Sequence, residues 1–287
     1  ENIRWDWLER MLEQRIGDGA MIGLIRKWLR AGILEEDGRV VHPQSGTPQG
    51  GIVSPVLANI YLHYALDLWF ERRVRPQQQG QCRLIRYADD FVVCFERRHE
   101  AEAFDQALKT RLEQFGLELA ADKTKTLRFG RNGGDHNGRF DFLGFEFYWQ
   151  ADRNDIARVK RRTATKKWHA GMQRMRQWIK EHRHRPVPQQ MKTLRSKLQG
   201  TWNYYGLIGN YRRMKLFYEE TVRTLYKWLN RRSQRRSISW RAMNRMLERF
   251  QIPRLRIVEK TGQKMPCQME LSFCQRLMKS TFAKANR

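Results

Sequence analysis

The sequence predicts an α+β fold, in which a mixed unit of short strands and helices over residues 1–150 precedes an all-α region over residues 151–258. Two observations lead to this prediction. Up to residue 150, runs rich in β-branched and aromatic residues recur between amphipathic helices. Beyond Asp152, apolar residues recur at helical spacing through segments rich in lysine and arginine. Residues 259–287 have weaker periodicity, and we assign them no role.

The composition indicates a folded protein with a polyanionic partner. Hydrophobic residues make up 40% of the 287-residue chain, enough for a core in each of two domains. The formal net charge is +26, and because such an excess costs self-repulsion, a nucleic acid is the first explanation for it. An anionic membrane is the weaker alternative and we expect no membrane partner, because no basic segment adjoins a lipid-inserting face. The four cysteines lack C-x-x-C spacing, which favours reduced thiols over a zinc site.

The chain opens with two predicted helices and a short strand. Glycines 17 and 19 separate the helices, and a strand is expected at residues 39–42, after an Asp-Gly turn at residues 37–38. The residues expected to form one apolar face on each helix are Trp5, Leu8, Leu12 and Ile16 on the first, and Met21, Leu24, Ile25 and Trp28 on the second.

A glycine-rich loop precedes the third predicted helix. Residues 45–51 read Ser-Gly-Thr-Pro-Gln-Gly-Gly, and their glycines allow the backbone to approach a ligand closely. Ser54 is expected as the N-cap and Pro55 as the first helical residue. A loop that leads into a helix suits a phosphate, but a purely structural turn is an equal alternative. The stripe expected to be buried is Leu57, Ile60, Tyr61, Tyr64 and Leu68.

Two adjacent carboxylates lie between two strand-like runs. Residues 87–90 read Tyr-Ala-Asp-Asp, between apolar runs at 84–86 and 91–95, so the acidic pair is predicted at or near a hairpin turn. Asp89 and Asp90 would repel each other unless a cation lies between them, and their oxygen atoms suit Mg²⁺. A solvated polar turn is the alternative interpretation.

The rest of the mixed unit is predicted as one helix and three short strands. The helix carries Phe104, Ala107, Leu108, Leu112 and Phe115 and ends at Gly116. The strands are expected at residues 117–119, 126–129 and 140–147, and a loop at 132–135.

The region after Asp152 has a one-sided charge. Residues 158–185 contain eleven lysines and arginines and one acid, whereas solvated helix faces usually mix both signs. We therefore predict RNA contact at Arg158, Lys160, Arg161, Arg162, Lys166, Lys167, Arg212 and Arg213. Tyr204, Tyr205 and Tyr211 either stack on unpaired bases or belong to the core. Core stripes of four helices are predicted at Trp168, Met172, Met175 and Ile179; Met191, Leu194, Leu198 and Trp202; Met214, Phe217, Thr221, Leu225 and Trp228; and Trp240, Met243, Leu247 and Phe250.

Taken together, the Gly-Thr-Pro-Gln-Gly-Gly loop, the Tyr-Ala-Asp-Asp hairpin about forty residues later, the Leu-Gly strand and the basic helices resemble the reverse transcriptases encoded by group II introns. The resemblance covers residues 1–258. It implies a right-hand polymerase palm, an antiparallel sheet with helices, followed by a helical thumb and maturase domain. Residues 204–214 and 240–256 look like characteristic segments of that domain.

The resemblance also implies roles for particular residues. Asp89 and Asp90 match the carboxylates that hold two Mg²⁺ ions, and Lys123 resembles a lysine placed near the triphosphate. The nucleotide and template would be approached by Pro48, Gln49, Gly50 and Tyr87. The primer-grip hairpin would consist of Phe142, Leu143, Gly144 and Phe145.

The activity implied is RNA-directed DNA synthesis together with assistance to intron splicing. The implied partners are group II intron RNA, a DNA target and primer, and deoxynucleoside triphosphates, in the bacterial cytoplasm near the nucleoid or in an organelle. The alternatives are a non-enzymatic RNA-binding splicing factor with a polymerase-like scaffold, and a generic basic nucleic-acid binder.

The resemblance fails in two respects. The basic fingers that hold the triphosphate in this family are absent from the sequence, and so is the first palm motif. The family needs a further palm aspartate in a strand before the glycine-rich loop, and we find no such strand in the sequence. We expect this aspartate upstream of Glu1 or on a second chain that completes the palm. The 287 residues alone are then expected to lack polymerase activity, because phosphoryl transfer depends chiefly on electrostatic stabilisation.

Overall fold

The structure is a computed structural model that describes residues 3–31, 33–34, 40–41, 53–130, 138–151, 154–232 and 237–259. The described residues up to Arg128 form one compact unit, and those from Phe129 onward form a second. Several predicted features lie outside the described residues: the turn at 37–38, the loop with Pro48, Gln49 and Gly50, the loop at 132–135, and residues 260–287.

Two helices open the first unit, as predicted. They are α1, Trp5–Glu13, and α2, Gly19–Arg30, and the side chain of Asp18 caps α2 by accepting from the amide of Ala20 at 2.8 Å. Leu8 and Leu12 are buried as expected. Short strands β1, Ile33–Leu34, and β2, Val40–Val41, pair antiparallel.

The predicted buried face of α2 is wrong in part. The buried residues are Ile22, Ile25 and Leu29, whereas Met21, Leu24 and Trp28 are 40%, 42% and 39% exposed. Apolar residues occur on both sides of this helix, so spacing alone did not identify the side that packs against α1.

The next helix is long and contains wide turns. Helix α3, Ser54–Leu62, continues without a break through π-helical segments His63–Asp67 and Phe70–Val74 and a 3₁₀ turn, Arg75–Gln77. Val53 occupies the N-cap position that was predicted for Ser54, and Pro55 lies in the first turn. This one-residue shift keeps a proline where its missing N–H leaves no gap in the helix. Leu57 and Tyr61 are buried, and the Tyr61 hydroxyl donates to the carbonyl of Phe115 at 2.6 Å.

A hairpin and a helix complete the first unit. Strands β3, Cys82–Tyr87, and β4, Asp90–Phe95, pair antiparallel, and α4 spans Arg98–Gln114. The chain leaves α4 through Gly116, at φ +67°, as predicted. Cys82 and Cys94 form no disulfide bond with each other.

The strands predicted at residues 117–119 and 126–129 do not form. The amide of Leu117 donates instead to the carbonyl of Leu112 and closes α4, at 2.9 Å. The ring of Phe129 packs against Phe140 and Trp149 of the second unit. Short apolar runs can therefore pack their side chains against other residues without pairing in a β-sheet.

The second unit begins with a three-stranded antiparallel sheet. Its order is β5, Arg139–Phe142, then β6, Phe145–Ala151, then β7, Ala157–Thr163. The region from Arg158 was predicted to be helical, and this is wrong for residues 158–163. Arg162 lies directly opposite Glu146 in the register of β6 and β7, so charge pairing across the sheet helps to offset the weak strand preference of these basic residues.

Four helices follow the sheet, and their predicted positions are confirmed. They are α5, Thr165–Glu181, α6, Val187–Tyr205, α7, Tyr211–Asn230, and α8, Trp240–Arg249. Their buried stripes meet in one apolar core around Trp202 and Leu225. The prediction that Trp240 belongs to this core is wrong, because Trp240 is 47% exposed and stacks on Tyr226 with ring centroids 4.0 Å apart. Helices with small antiparallel sheets confirm the α+β class, while the assignment to palm and thumb stays a prediction. Within the described ranges, no helix has the length and apolar character needed to span a membrane.

Candidate active site and nucleic-acid interface

The acidic pair lies at the tip of the β3–β4 hairpin, where the sequence predicted it. Tyr87 pairs with Asp90, so Ala88 and Asp89 form a two-residue turn. Ala88 has φ +53°, a left-handed conformation that a turn of this kind requires of its first central residue. The carboxylates of Asp89 and Asp90 are thus carried on one tight turn.

The hairpin is held by an aromatic cluster beneath one of its faces. Cys82, Leu84 and the β4 residues Phe91, Val93 and Phe95 pack on the second π-helical segment and on α4. The ring of Phe104 lies 5.2 Å from that of Phe95 and 5.8 Å from that of Phe70. A rigid base of this kind gives a turn a defined direction, which a catalytic carboxylate needs.

The tip itself is open to solvent. Tyr87 is 58% exposed, and both Asp89 and Asp90 are exposed. Adjacent carboxylate oxygens are a suitable donor set for Mg²⁺, which commonly uses one or two carboxylates together with water and substrate phosphates. Within the described parts of the chain, no group of three or more His, Cys, Asp or Glu side chains is placed to hold a metal ion. The pair therefore fits part of a metal site.

Sequence reasoning overlooked a partly buried arginine beside this turn. The guanidinium of Arg86 contacts Asp67 and Asn59 on the helix below and the carbonyl oxygen of Ala88 in the turn. One signal was available: residue 86 continues the inward-facing row of Cys82 and Leu84, where a charged residue needs a partner.

Lys123 lies in an exposed turn over residues 121–123. The amide of Lys123 and the hydroxyl of Thr124 both donate to the carbonyl of Ala120, at 3.0 and 2.9 Å. Among the described residues, no hydrogen bond or ion pair joins Lys123 to Asp89 or Asp90. Its role near a triphosphate stays a prediction.

The predicted primer-grip residues form the β5–β6 hairpin. Leu143 and Gly144 make its turn with φ of +48° and +77°, whereas Phe142 and Phe145 are buried. The hydroxyl of Tyr204 donates to the carbonyl of Leu143 at 3.0 Å, and the amide of Ala164 donates to that of Gly144 at 2.9 Å. These two hydrogen bonds hold the turn of the β5–β6 hairpin against the end of α6 and against the residue after β7.

The eight predicted RNA-binding residues separate into two kinds. Arg161 and Arg162 form ion pairs with Glu259 and Glu146, so their charges serve the fold. Arg213 is partly buried, and its guanidinium donates to the Thr165 hydroxyl at 3.0 Å. The others are exposed or half-exposed on the surface: Arg158, Lys160, Lys166, Lys167 and Arg212. Tyr204 and Tyr211 are each 54% exposed, whereas Tyr205 is half-buried beside Phe145.

A cationic cavity of about 260 Å³ lies in the second unit. Four cationic side chains and the rings of Trp168, Tyr205 and Phe217 line it, and none of the described residues in its lining is acidic. The cations are Lys167, Arg174, Lys197 and Arg213. Sequence reasoning missed Arg174 and Lys197, although Arg174 follows Lys167 by seven residues and therefore shares its face of α5. Burial lowers the pKa of Arg213, and the guanidinium of Arg174 opposes the rise in the pKa of Tyr205 that burial causes.

Comparison with known proteins matches one family. The family described as reverse transcriptase (RNA-dependent DNA polymerase) matches residues 1–147. This match covers the glycine-rich loop, the Asp89–Asp90 hairpin and the start of the β5–β6 hairpin.

Individual relatives point in the same direction. The chain is 31% identical over 145 residues to the group II intron-encoded protein LtrA of Lactococcus lactis subsp. cremoris, covering 47% of this chain and 24% of that protein. It is 52% identical over 71 residues to an uncharacterized 91 kDa protein in the cob intron of Schizosaccharomyces pombe, covering 25% and 9%. It is 27% identical over 179 residues to protein YkfC of Escherichia coli, covering 53% and 45%. The chain therefore spans less than half the length of each.

Proposed function

The chain belongs to the reverse transcriptase (RNA-dependent DNA polymerase) family, in the group that includes group II intron-encoded proteins, and from this we propose that it forms part of an intron-encoded RNA-directed DNA polymerase and maturase. The observation that carries the proposal is the tight turn that presents Asp89 and Asp90 together to solvent. The match to the family extends through this turn.

We assign the nucleotidyl-transfer step to that turn. Asp89 and Asp90 supply carboxylate oxygens, and the packed hairpin beneath them fixes their direction. Two Mg²⁺ ions held there would clamp the attacking 3′-hydroxyl and the leaving phosphate oxygen and neutralise developing charge. In this proposal Lys123 gives a proton to the leaving group, and Pro48, Gln49 and Gly50 approach the incoming nucleotide.

We assign RNA contact to the second unit. The cationic cavity offers ammonium and guanidinium groups to phosphate, and its aromatic side chains suit an unpaired base. Lys166, Lys167 and Arg212 are exposed and make no ion pair within the described residues. These groups would hold intron RNA during splicing and the template–primer duplex during synthesis.

The test separates the two activities in the complete polypeptide that carries this chain. Asp89→Asn and Asp90→Asn keep the shape of the turn but remove a charge each. We expect each variant to lose at least a hundredfold in Mg²⁺-dependent primer extension on an RNA template, because the carboxylates stabilise charge in the transition state. Affinity for intron RNA should stay within about twofold of the wild type, because the turn makes no part of the cationic cavity.

Two outcomes would change the proposal. Primer extension that survives in both variants would remove the assignment of chemistry to this turn. If the wild-type protein assists splicing but extends no primer under any condition, it is a non-enzymatic RNA-binding factor instead.

A further inference from the structure

We propose that Arg86 is a positioning residue for the acidic turn, and that Asp67 and Asn59 hold it in place. This inference rests on the proposed function, because the position of the turn matters for activity only if Asp89 and Asp90 bind a divalent cation. It concerns three residues to which the sequence analysis assigned no role.

Most of the Arg86 side chain is shielded from solvent, and most of its N–H groups donate hydrogen bonds. Its side chain is 12% exposed and donates four hydrogen bonds. Nε and Nη2 donate to the two oxygens of Asp67 at 2.7 and 2.6 Å, which is the bidentate geometry of an arginine–carboxylate pair. Nη1 donates to Asn59 Oδ1 and to the carbonyl of Ala88, both at 2.8 Å. One guanidinium thus joins the helix to the turn.

The contact with Ala88 acts directly on the acidic pair. The carbonyl of Ala88 belongs to the peptide group that carries the amide of Asp89, so fixing this oxygen fixes the plane from which Asp89 projects. Ala88 has φ +53°, a conformation that alanine adopts only when its surroundings impose it. A hydrogen bond from Arg86 supplies part of that constraint.

The pairing with Asp67 also controls charge. An unpaired guanidinium at this depth would compete with a cation for Asp89 and Asp90. Asp67 neutralises it with both carboxylate oxygens and accepts a further contact from His63 Nδ1 at 3.3 Å. Arg86 can therefore hold the backbone of the turn while the acidic side chains stay available for metal.

The π-helical segment is what brings the two anchors together. Asn59 and Asp67 are eight residues apart, and on an ideal α-helix their side chains would point about 80° apart. Residues 63–67 form a π turn, and such turns need roughly one more residue per turn than an α-helix. This difference rotates Asp67 back toward the direction of Asn59, so both side chains meet the same guanidinium.

The test compares two conservative substitutions with a matched control. Arg86→Lys keeps the charge but loses the planar fork, and Asp67→Asn keeps the shape but loses the charge. Arg75→Lys is the control, because Arg75 pairs with Glu71 at 2.6 Å on the exposed side of the same helix. Each change is made in the complete polypeptide for activity and in the 287-residue chain for hydrogen exchange.

Two readouts are needed. In primer extension, Arg86→Lys should raise the Mg²⁺ concentration for the half-maximal rate by about tenfold, the effect usual for groups that orient metal ligands, and excess Mg²⁺ should restore the rate. The KM for template–primer should not change. In hydrogen–deuterium exchange, the amides of residues 87–90 should exchange faster in Arg86→Lys than in Arg75→Lys, while the melting temperatures of the two variants agree.

The outcomes distinguish this inference from the proposed function. If Asp89→Asn abolishes synthesis while Arg86→Lys keeps the wild-type Mg²⁺ dependence, the positioning role is overturned and the polymerase assignment stands. If Asp89→Asn retains full synthesis, the polymerase assignment fails and the positioning role fails with it. Unchanged exchange at residues 87–90 in Arg86→Lys also overturns the positioning role, whatever the kinetics.

Discussion

At the scale of single residues, Asn210 shows how a buried polar group can join several elements. It is completely buried, and its side-chain oxygen accepts from the amide of Thr163 at 2.9 Å. Its amide nitrogen donates to the Thr163 hydroxyl at 2.9 Å and to the carbonyl of Tyr205 at 2.8 Å. It thereby ties the last residue of β7 to the end of α6 and the start of α7.

Asn210→Ala should destabilise the second unit by about 2–3 kcal/mol, because it leaves the buried amide of Thr163 without an acceptor and removes one of the two donors to the carbonyl of Tyr205. Asn203→Ala is the matched control, since Asn203 is exposed on α6 and its side-chain oxygen accepts from the side chain of Gln199. Urea unfolding followed by circular dichroism measures both changes. Equal midpoints for the two variants would show that the buried network contributes little.

Single residues also show why part of the site could not be predicted. Asp89 and Asp90 could be found because their neighbours along the chain predict a hairpin. The contact of Arg86 with Asp67 and Asn59 could not be predicted, because it depends on the rotation of a helix that sequence spacing describes as a regular α-helix. Arg161 and Arg162 looked like RNA ligands because their acidic partners, Glu259 and Glu146, are distant in sequence.

At the scale of elements, most helices could be predicted and some short strands could not. Helices α4 to α8 have apolar stripes long enough to identify them. Strand β7 has the composition of a solvated basic helix, and it is a strand because β6 lies beside it and offers Glu146. Residues 117–119 have the composition of a strand but no strand partner. Pairing between distant segments decided both cases.

Two glycines should respond in opposite ways to substitution by alanine. Gly200→Ala should stabilise α6 by about 1 kcal/mol, because nothing lies within 4 Å of the added Cβ and glycine weakens a helix interior. Gly144→Ala should destabilise the β5–β6 turn by about 1–2 kcal/mol, because its φ is +77° and the hydroxyl of Tyr205 would lie 3.4 Å from the new Cβ. Thermal unfolding of both variants measures the signs, and a Gly144→Ala variant as stable as the wild type would contradict the strain argument.

At the scale of the whole molecule, the excess of positive charge is the dominant property. The formal net charge is +26, and the cationic cavity of the second unit concentrates part of it, with no acid among the described residues that line it. The sequence predicted this charge and the class of partner, because both follow from the amino-acid composition without knowledge of the fold. It did not predict the cavity, because residues from three helices and a strand line it.

Neutralising a cavity cation should lower the salt dependence of RNA binding. For Lys197→Gln we expect the slope of log K against log salt to fall in magnitude by about 1, since one phosphate contact is lost. Lys109→Gln is the control, because Lys109 is exposed on α4 and already paired with Asp105 at 2.7 Å. Binding of a group II intron RNA is measured by filter retention from 50 to 300 mM KCl, salt values chosen to span roughly the range over which such contacts weaken. Equal slopes for the two variants would exclude the cavity as a phosphate site.

The π-helical segment His63–Asp67 finally has a consequence for how this chain can change in length. In the exposed turn at residues 121–123, losing one residue would only shorten a connection. Between Tyr61 and Phe70, losing one residue would replace the wide π turn by an α-helical turn and leave the direction of everything beyond it nearly unchanged, because a π turn holds about one residue more. Losing a second residue would turn everything beyond it by about 100° about the helix axis. Asp67 would then leave Arg86, and Phe70 would leave the aromatic cluster under the hairpin. The number of residues in this stretch fixes the direction of the side chains beyond it. A deletion here can therefore reorient the site without replacing any of its residues, which a substitution cannot do.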